Sequence, residues 1–171
     1  MKKILLALIL FIVTYKINAQ DKTNTETKPR WAMINNANLK GPTGQVIINL
    51  PQPATMVCTI TKSGDSKNLY TWHSSIAKEF APGNYDVTFW NIKIPIVVEK
   101  GKDTRIFAGV LNSTVRKPWE VCTIDGVKVY AAGSAKMVAL PAGRYIVKTG
   151  GAEIKTTITD GQTSIFSFTA Y

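Results

Sequence analysis

From Trp31 onward the chain runs in short apolar stretches broken by turn residues. Val46-Ile47-Ile48-Asn49-Leu50 stops at Pro51, and Met56-Val57-Cys58-Thr59-Ile60 stops at Lys62-Ser63-Gly64-Asp65. Tyr85-Asp86-Val87-Thr88-Phe89-Trp90 follows Ala81-Pro82-Gly83-Asn84, and Ile92 to Val98 ends at Glu99-Lys100-Gly101-Lys102-Asp103. Runs of this length, rich in β-branched and aromatic residues and spaced about 8–12 residues apart, predict an all-β chain. The alternation within them assigns faces. Tyr85, Val87 and Phe89 share one side, with Asp86, Thr88 and Trp90 on the other, while Ile92, Ile94, Ile96 and Val98 line a single face. Pro95 cannot donate to a strand ladder, which puts its strand at an edge or on a bulge. Ser74 to Phe80 is the one stretch that reads as a helical turn.

The pattern occurs twice. Val57-Cys58-Thr59-Ile60 recurs as Val121-Cys122-Thr123-Ile124, an offset of 64. From about residue 69 to 108 an offset of 60 pairs Tyr70 with Tyr130, Ser74 with Ser134, Gly83 with Gly143, Tyr85 with Tyr145, Val87 with Val147, Ile94 with Ile154 and Gly101 with Gly161. The change of offset falls in the polar turn between Ile60 and Leu69, where insertions are tolerated. Turn glycines and inward apolar sites are the positions that match, which predicts two tandem units of roughly 55–60 residues, each marginal alone and packed on its neighbour. The expected organisation is a first repeat over 31–112 and a second over 113–171. Segment 31–54 has no counterpart and completes the first unit.

The N-terminus is of another kind. Lys2 and Lys3 precede the unbroken apolar run Ile4 to Val13, and Thr14 to Ala19 is polar and ends in a small residue. This is the layout of a secretory signal peptide over 1–19, cleaved after Ala19. The apolar run is half the length of about 20 residues that a membrane-spanning helix needs. No cysteine stands at the cleavage point to accept a lipid, and residues 20–30 read as a flexible polar leader. The expectation is a periplasmic or extracellular protein, neither lipoprotein nor transmembrane. Of 21 basic residues the signal holds Lys2, Lys3 and Lys16, so the mature chain keeps 18 against 11 acidic ones, net +7. The basic residues are scattered and lack the aromatic interleaving of a nucleic-acid face, so no nucleic acid is expected.

The second unit reads Val121-Cys122-Thr123-Ile124-Asp125-Gly126, then Ala139-Leu140-Pro141-Ala142-Gly143-Arg144-Tyr145-Ile146-Val147, then Ile158-Thr159-Asp160-Gly161-Gln162-Thr163. This resembles the PEGA-like and carboxypeptidase-regulatory-like β-sandwich repeats of bacterial envelope proteins, best over 119–171 and more loosely over 55–111, without the P-E-G-A tetrapeptide itself. The resemblance implies two tandem small β-sandwich repeats, immunoglobulin-like or prealbumin-like. It also implies a non-catalytic binding, spacing or assembly role with no catalytic residues to carry over.

Little in the chain suggests chemistry. His73 is the only histidine and has no orienting carboxylate in its strand. Asp86, Glu99, Glu120 and Asp125 are the carboxylates from which a hydrolytic pair could be drawn, yet all lie in turns or on solvent-facing positions. No phosphate loop, dinucleotide fingerprint or metal-ligand spacing is present, so no cofactor or metal is expected. Cys58 and Cys122 fall at matching places in the two repeats. They read either as two core thiols or, in an oxidising compartment, as one disulfide stapling the units. Trp90, with Asn91 and Lys93 beside it, lies on the polar face of its strand. It reads either as a stacking platform for a sugar or partner, or as a plug between the units. The main functional expectation is an exported, non-catalytic binding module of the bacterial cell envelope, recognising a glycan or envelope component. The alternative is a structural or assembly subunit that takes a protein partner along a sheet edge, carried by the Trp31 segment and the Ile92 to Val98 strand.

Overall fold

The computed structural model describes residues 29–51 and 56–167, so the signal segment and the leader up to residue 28 lie outside the described residues. The fold is all-β, in two tandem sandwiches. The first contains β1 (Trp31–Asn35), β2 (Gly44–Ile48), β3 (Cys58–Lys62), β4 (Asn68–Trp72), β5 (Ile76–Phe80), β6 (Gly83–Phe89), β7 (Ile92–Val98) and β8 (Lys102–Ile106). The second contains β9 (Ala108–Ser113), β10 (Trp119–Thr123), β11 (Lys128–Ala132), β12 (Lys136–Pro141), β13 (Gly143–Thr149), β14 (Ala152–Ile158) and β15 (Thr163–Phe166). The first sandwich packs the sheet β1-β8-β2-β5 on the sheet β4-β3-β6-β7, and the second packs β12-β9-β15 on β11-β10-β13-β14. Among the described residues no helix is long and apolar enough to cross a membrane.

The expected alternation holds. Tyr85, Val87 and Phe89 of β6 and Ile92, Ile94, Ile96 and Val98 of β7 are buried, and Pro95 lies exposed on a strand that ends its sheet. Ser74 to Phe80 departs from the sequence reading. Its second part is a strand, β5, whose Ile76, Lys78 and Phe80 are half-buried between exposed Ala77 and Glu79. Pairing with β2 imposes a period of two on residues whose own propensities favour helix.

Strand pairing divides the chain at Phe107, earlier than the 112/113 division expected from sequence. β9 pairs antiparallel with β12 and parallel with β15, and so belongs to the second sandwich. Its counterpart is β2, which pairs in the same way with β5 and β8. Each has a glycine at or next to its first residue for one steric reason: a Cβ at Gly44 would overlap the Glu99 carbonyl oxygen, and one at Gly109 that of Thr159. Among the described strands only β1 therefore lacks a counterpart, a narrower gap than the whole segment 31–54.

The 60-residue offset is realised in the strand registers. β6 and β7 pair from Gly83↔Val98 to Phe89↔Ile92, and β13 and β14 from Gly143↔Ile158 to Thr149↔Ala152. The offset of 64 is not. Cys58 pairs with Trp72 and Phe89, and the residue so placed in the second unit is Trp119, paired with Ala132 and Thr149. The true offset of β3 and β10 is thus 61, and a bulge after Ile60 recurs after Val121. An error of three residues is odd, and an odd slip moves every side chain to the other face of the sheet.

Candidate functional site

That slip decides the cysteines. Cys58 lies in the core cluster, where burial pushes its thiol well above the ordinary range. Cys122 is covered but outside that cluster, its Sγ 3.9 Å from Glu120 Oε1 on the other side of β10 from core residue Val121. Burial and then the Glu120 carboxylate raise its thiol too. The two thiols are free and occupy non-equivalent faces, so the expected matching places and the disulfide between them are not found.

Trp90 sits at the two-residue turn between β6 and β7, with φ at 58°. That left-handed conformation costs a non-glycine residue about 1–2 kcal/mol. The second sandwich has Gly150 at the same position. The strain is held by contacts across the joint. The indole Nε1 donates to the Ala139 carbonyl at 3.0 Å, and the ring packs 4.7 Å from Tyr130, itself 5.6 Å from Trp119. Asn91 Nδ2 donates to the Lys128 carbonyl. On the other side of the joint Arg105 bonds Asp160 at 2.7 Å, and Asp160 also accepts from the Ala108 amide. With Phe107 the only residue between β8 and β9, its amide and carbonyl taken by Arg30 and Ala142, the two sandwiches are joined without a slack linker. Trp90 and Asn91 are thus engaged in the joint, the plugging role. Lys93 stands apart from them, exposed and 3.3 Å from Asp86.

The carboxylates do not converge. Asp86 pairs with Lys93, Glu99 with Lys102 and Glu120 with Lys128, and Asp125 is exposed in the turn after β10. His73 Nδ1 lies 3.2 Å from the Met56 carbonyl, with its side chain otherwise exposed. Among the described residues no three His, Cys, Asp or Glu side chains could hold a metal. An open depression of about 340 Å³ lies beside the joint, lined by Glu120, Lys128 and Lys148 with Pro118 and Ala131, and its charges are already paired with one another or with Glu153.

The feature that sequence reasoning missed is the side of the second sandwich formed by β14 and β15. In the first sandwich β1 covers the outer edge of β8, from Trp31↔Ile106 to Asn35↔Lys102. Among the described residues nothing pairs with the corresponding edge of β15, the last strand of its sheet. Val110 and Thr114 donate to the Gln162 and Phe166 carbonyls, so the even-numbered residues turn toward β9 and the backbone groups of Thr163 and Ile165 turn outward. Ile165 is 73% exposed. Packing differs in the same sense: Ile92, Ile94 and Ile96 of β7 are buried, whereas Ala152, Ile154 and Thr156 of β14 are only half-buried. Among the described residues the second sandwich has one strand fewer than the first.

No family model matches the chain, and no curated protein does. Among solved structures it is similar to the Bacillus anthracis TIE protein, at 11% identity and a TM-score of 0.34 over 74% of this chain and 33% of that one. It is also similar to GBS52, the minor pilin of the Gram-positive pathogen Streptococcus agalactiae, at 13% identity and a TM-score of 0.31 over 73% of this chain and 94% of that one. The chain spans about a third of the length of the first of these. At such identities the likeness goes no further than the architecture.

Proposed function

We propose that this chain is a non-catalytic structural module of the cell envelope that takes a protein partner along a sheet edge. The observation that carries the reading is the place beside β15, which no strand among the described residues fills, where the sister sandwich holds β1. An edge strand presents a row of unpaired amides and carbonyls, and an added strand gains main-chain hydrogen bonds together with pockets for alternate side chains. Three other edges carry charge or proline, β7 with Pro95 and Lys93, β14 with Glu153 and Lys155, and β5 with Lys78 and Glu79, whereas β1 and β4 are uncharged edges, each of a sheet that already has four strands. β15, reading Thr-Ser-Ile-Phe, has neither charge nor proline. Glycan recognition around Trp90, Asn91 and Lys93 has less to rest on, because the indole face and the Asn91 amide are engaged in the joint.

The test is crosslinking in the native cell from a photoreactive residue at Ile165, with one at exposed Leu69 on β4 as the control. A discrete protein adduct from position 165 and none from 69 is expected. No adduct at 165, or equal adducts at both, would overturn the reading.

A further inference from the structure

We infer that the side of the first sandwich between edge strands β4 and β5 is an acceptor for a partner domain whose turn presents an aromatic ring beside a carboxylate. The sister sandwich shows the chemistry. There the corresponding side, between β11 and β12, is filled by the first sandwich. The Trp90 indole bonds the Ala139 carbonyl of β12 and packs on Tyr130 of β11, Asn91 bonds the Lys128 carbonyl, and Arg105 bonds Asp160. An offset of 60 carries each receiving group into the first sandwich, where Tyr70, the Glu79 and Asn68 carbonyls and Lys100 take these places. The turns holding Lys100 and Asp160 have one geometry: φ is 69° at Gly101 and 66° at Gly161, and their amides donate to the Thr43 and Ala108 carbonyls, each at 2.9 Å. The filled side is buried at every position from Val138 to Pro141. The first sandwich's side is not, since Ile76, Lys78 and Phe80 are only half-buried between exposed Ala77 and Glu79. Tyr70 meets the Lys78 ammonium, 3.5 Å from its ring centroid, whereas Tyr130 meets an indole.

Two differences select the partner. Lys100 stands where Asp160 takes Arg105, and Lys78 stands in the place of Val138. The acids beside them are already held, Glu79 by Thr43, Glu99 by Lys102 and Asp103 by Asn36, and among the described residues neither lysine has an ion pair. Such a surface favours a carboxylate and repels a guanidinium. A second copy of the chain does not fit. Its Trp90 and Arg105 are engaged in its own joint, and the matching free end of its second sandwich carries Gly150 and Ile165. The charges on β5 oppose strand addition but not this mode, in which a ring enters between the two sheets and no strand is added. Leu69 lies on the outer face of β4, away from this side.

The experiment supplies the donor on the full chain itself. Gly150→Trp with Ile165→Glu places an indole and a carboxylate on the free end of the second sandwich, at the positions that Trp90 and Arg105 hold on the first. The backbone accepts the indole, because φ is 53° at Gly150 and 58° at Trp90, and a Cβ at Gly150 would meet nothing within 4 Å. In sedimentation over a wide concentration range this variant is expected to associate head to tail. Tyr70→Ala in the same chain should abolish the association, and Ile165→Arg in place of Ile165→Glu should weaken it about tenfold or more. Lys100→Asp should restore the arginine version, which separates charge pairing from misfolding. A donor variant that stays monomeric, or one indifferent to Tyr70→Ala or to the sign of the charge at 165, would overturn the inference. In the native cell a photoreactive residue in place of Lys78 should join to a protein other than this chain, in an adduct that Lys100→Glu removes. No adduct, or one that survives Lys100→Glu, would also overturn it. The β15 reading stands or falls separately, on its own crosslink from position 165.

Discussion

In the first sandwich Cys58 faces Trp72 across β3 and β4; in the second the same cross-strand pair is Trp119 and Ala132. Each pair holds one indole and one small side chain, with the strand that supplies the bulk exchanged. Trp72 is 5% exposed and packs 5.4 Å from Tyr70, leaving its Nε1 without a hydrogen-bond partner. Trp119 is 2% exposed, donates to the Ser134 carbonyl at 2.8 Å, and packs on Tyr130 beside Trp90. A core specified by total volume tolerates such an exchange. The second placement additionally binds the sandwich into the joint. The same comparison at the edges runs the other way, since the first unit is completed by β1 and, among the described residues, the second is left open. The more firmly anchored unit is thus also the one free to recruit along this edge.

The largest effect belongs to Trp119→Ala, which empties a core site and removes an aromatic neighbour of the joint. It should cost about 3–5 kcal/mol in urea unfolding, the range for buried Trp truncation. Trp119→Cys combined with Ala132→Trp copies the first unit's arrangement and should recover more than half of that loss. No recovery would mean that the two cores are not interchangeable. Trp90→Ala should cost about 2–3 kcal/mol and split one unfolding transition into two, because the hydrogen bond and ring packing across the joint both go. Trp90→Gly should cost about 1 kcal/mol less than Trp90→Ala, as glycine accepts the positive φ without strain. Equal losses would show that the strain is not there.

Both units carry a tyrosine whose hydroxyl donates four residues back, Tyr85 to the Ala81 carbonyl and Tyr145 to the Pro141 carbonyl, each at 2.8 Å. Desolvation raises both phenols, that of Tyr145 to about 12 from its ordinary 10.0. The folded state therefore holds the Tyr145 proton more tightly than the unfolded chain. The stability this provides is complete below pH 10 and disappears as pH rises toward 12, a loss of about 2–3 kcal/mol. Tyr145→Phe should cost about 1 kcal/mol at neutral pH and flatten the alkaline fall. Tyr85→Phe should flatten it less, and the reverse order would contradict the deeper burial of Tyr145. The smallest effect is expected of Lys93→Ala, within about 0.5 kcal/mol, because its ion pair with Asp86 is open to solvent.

The sequence shows clearly what side-chain period and turn residues encode: the β6–β7 hairpin, the edge position of Pro95, and the 60-residue offset that carries the Gly-x-Tyr corner from Gly83-Asn84-Tyr85 to Gly143-Arg144-Tyr145. It misleads where a short identity competes with pairing. Val-Cys-Thr-Ile occurs twice, yet the hydrogen-bonded partners of Cys58 are matched by those of Trp119, three residues before Cys122. β5 was concealed because Ala77, Lys78 and Glu79 favour helix and only the β2 partner overrides them. Trp90 offered both of its roles to the sequence, and only Ala139 and Tyr130, some 40 to 50 residues away, distinguish them. The open edge of β15 could not be read, because its pairing partners, and not the residues Thr163 to Phe166 themselves, decide whether an edge is covered.

The central claim, one covered edge and one open edge on otherwise matched sandwiches, can be tested most directly by amide hydrogen exchange of the dilute monomer. Asp103 and Arg105 on β8 face β1 in the positions that Thr163 and Ile165 on β15 present to solvent. The account predicts strong protection at 103 and 105 and near-free exchange at 163 and 165. Equal protection of all four amides in the dilute monomer would contradict it.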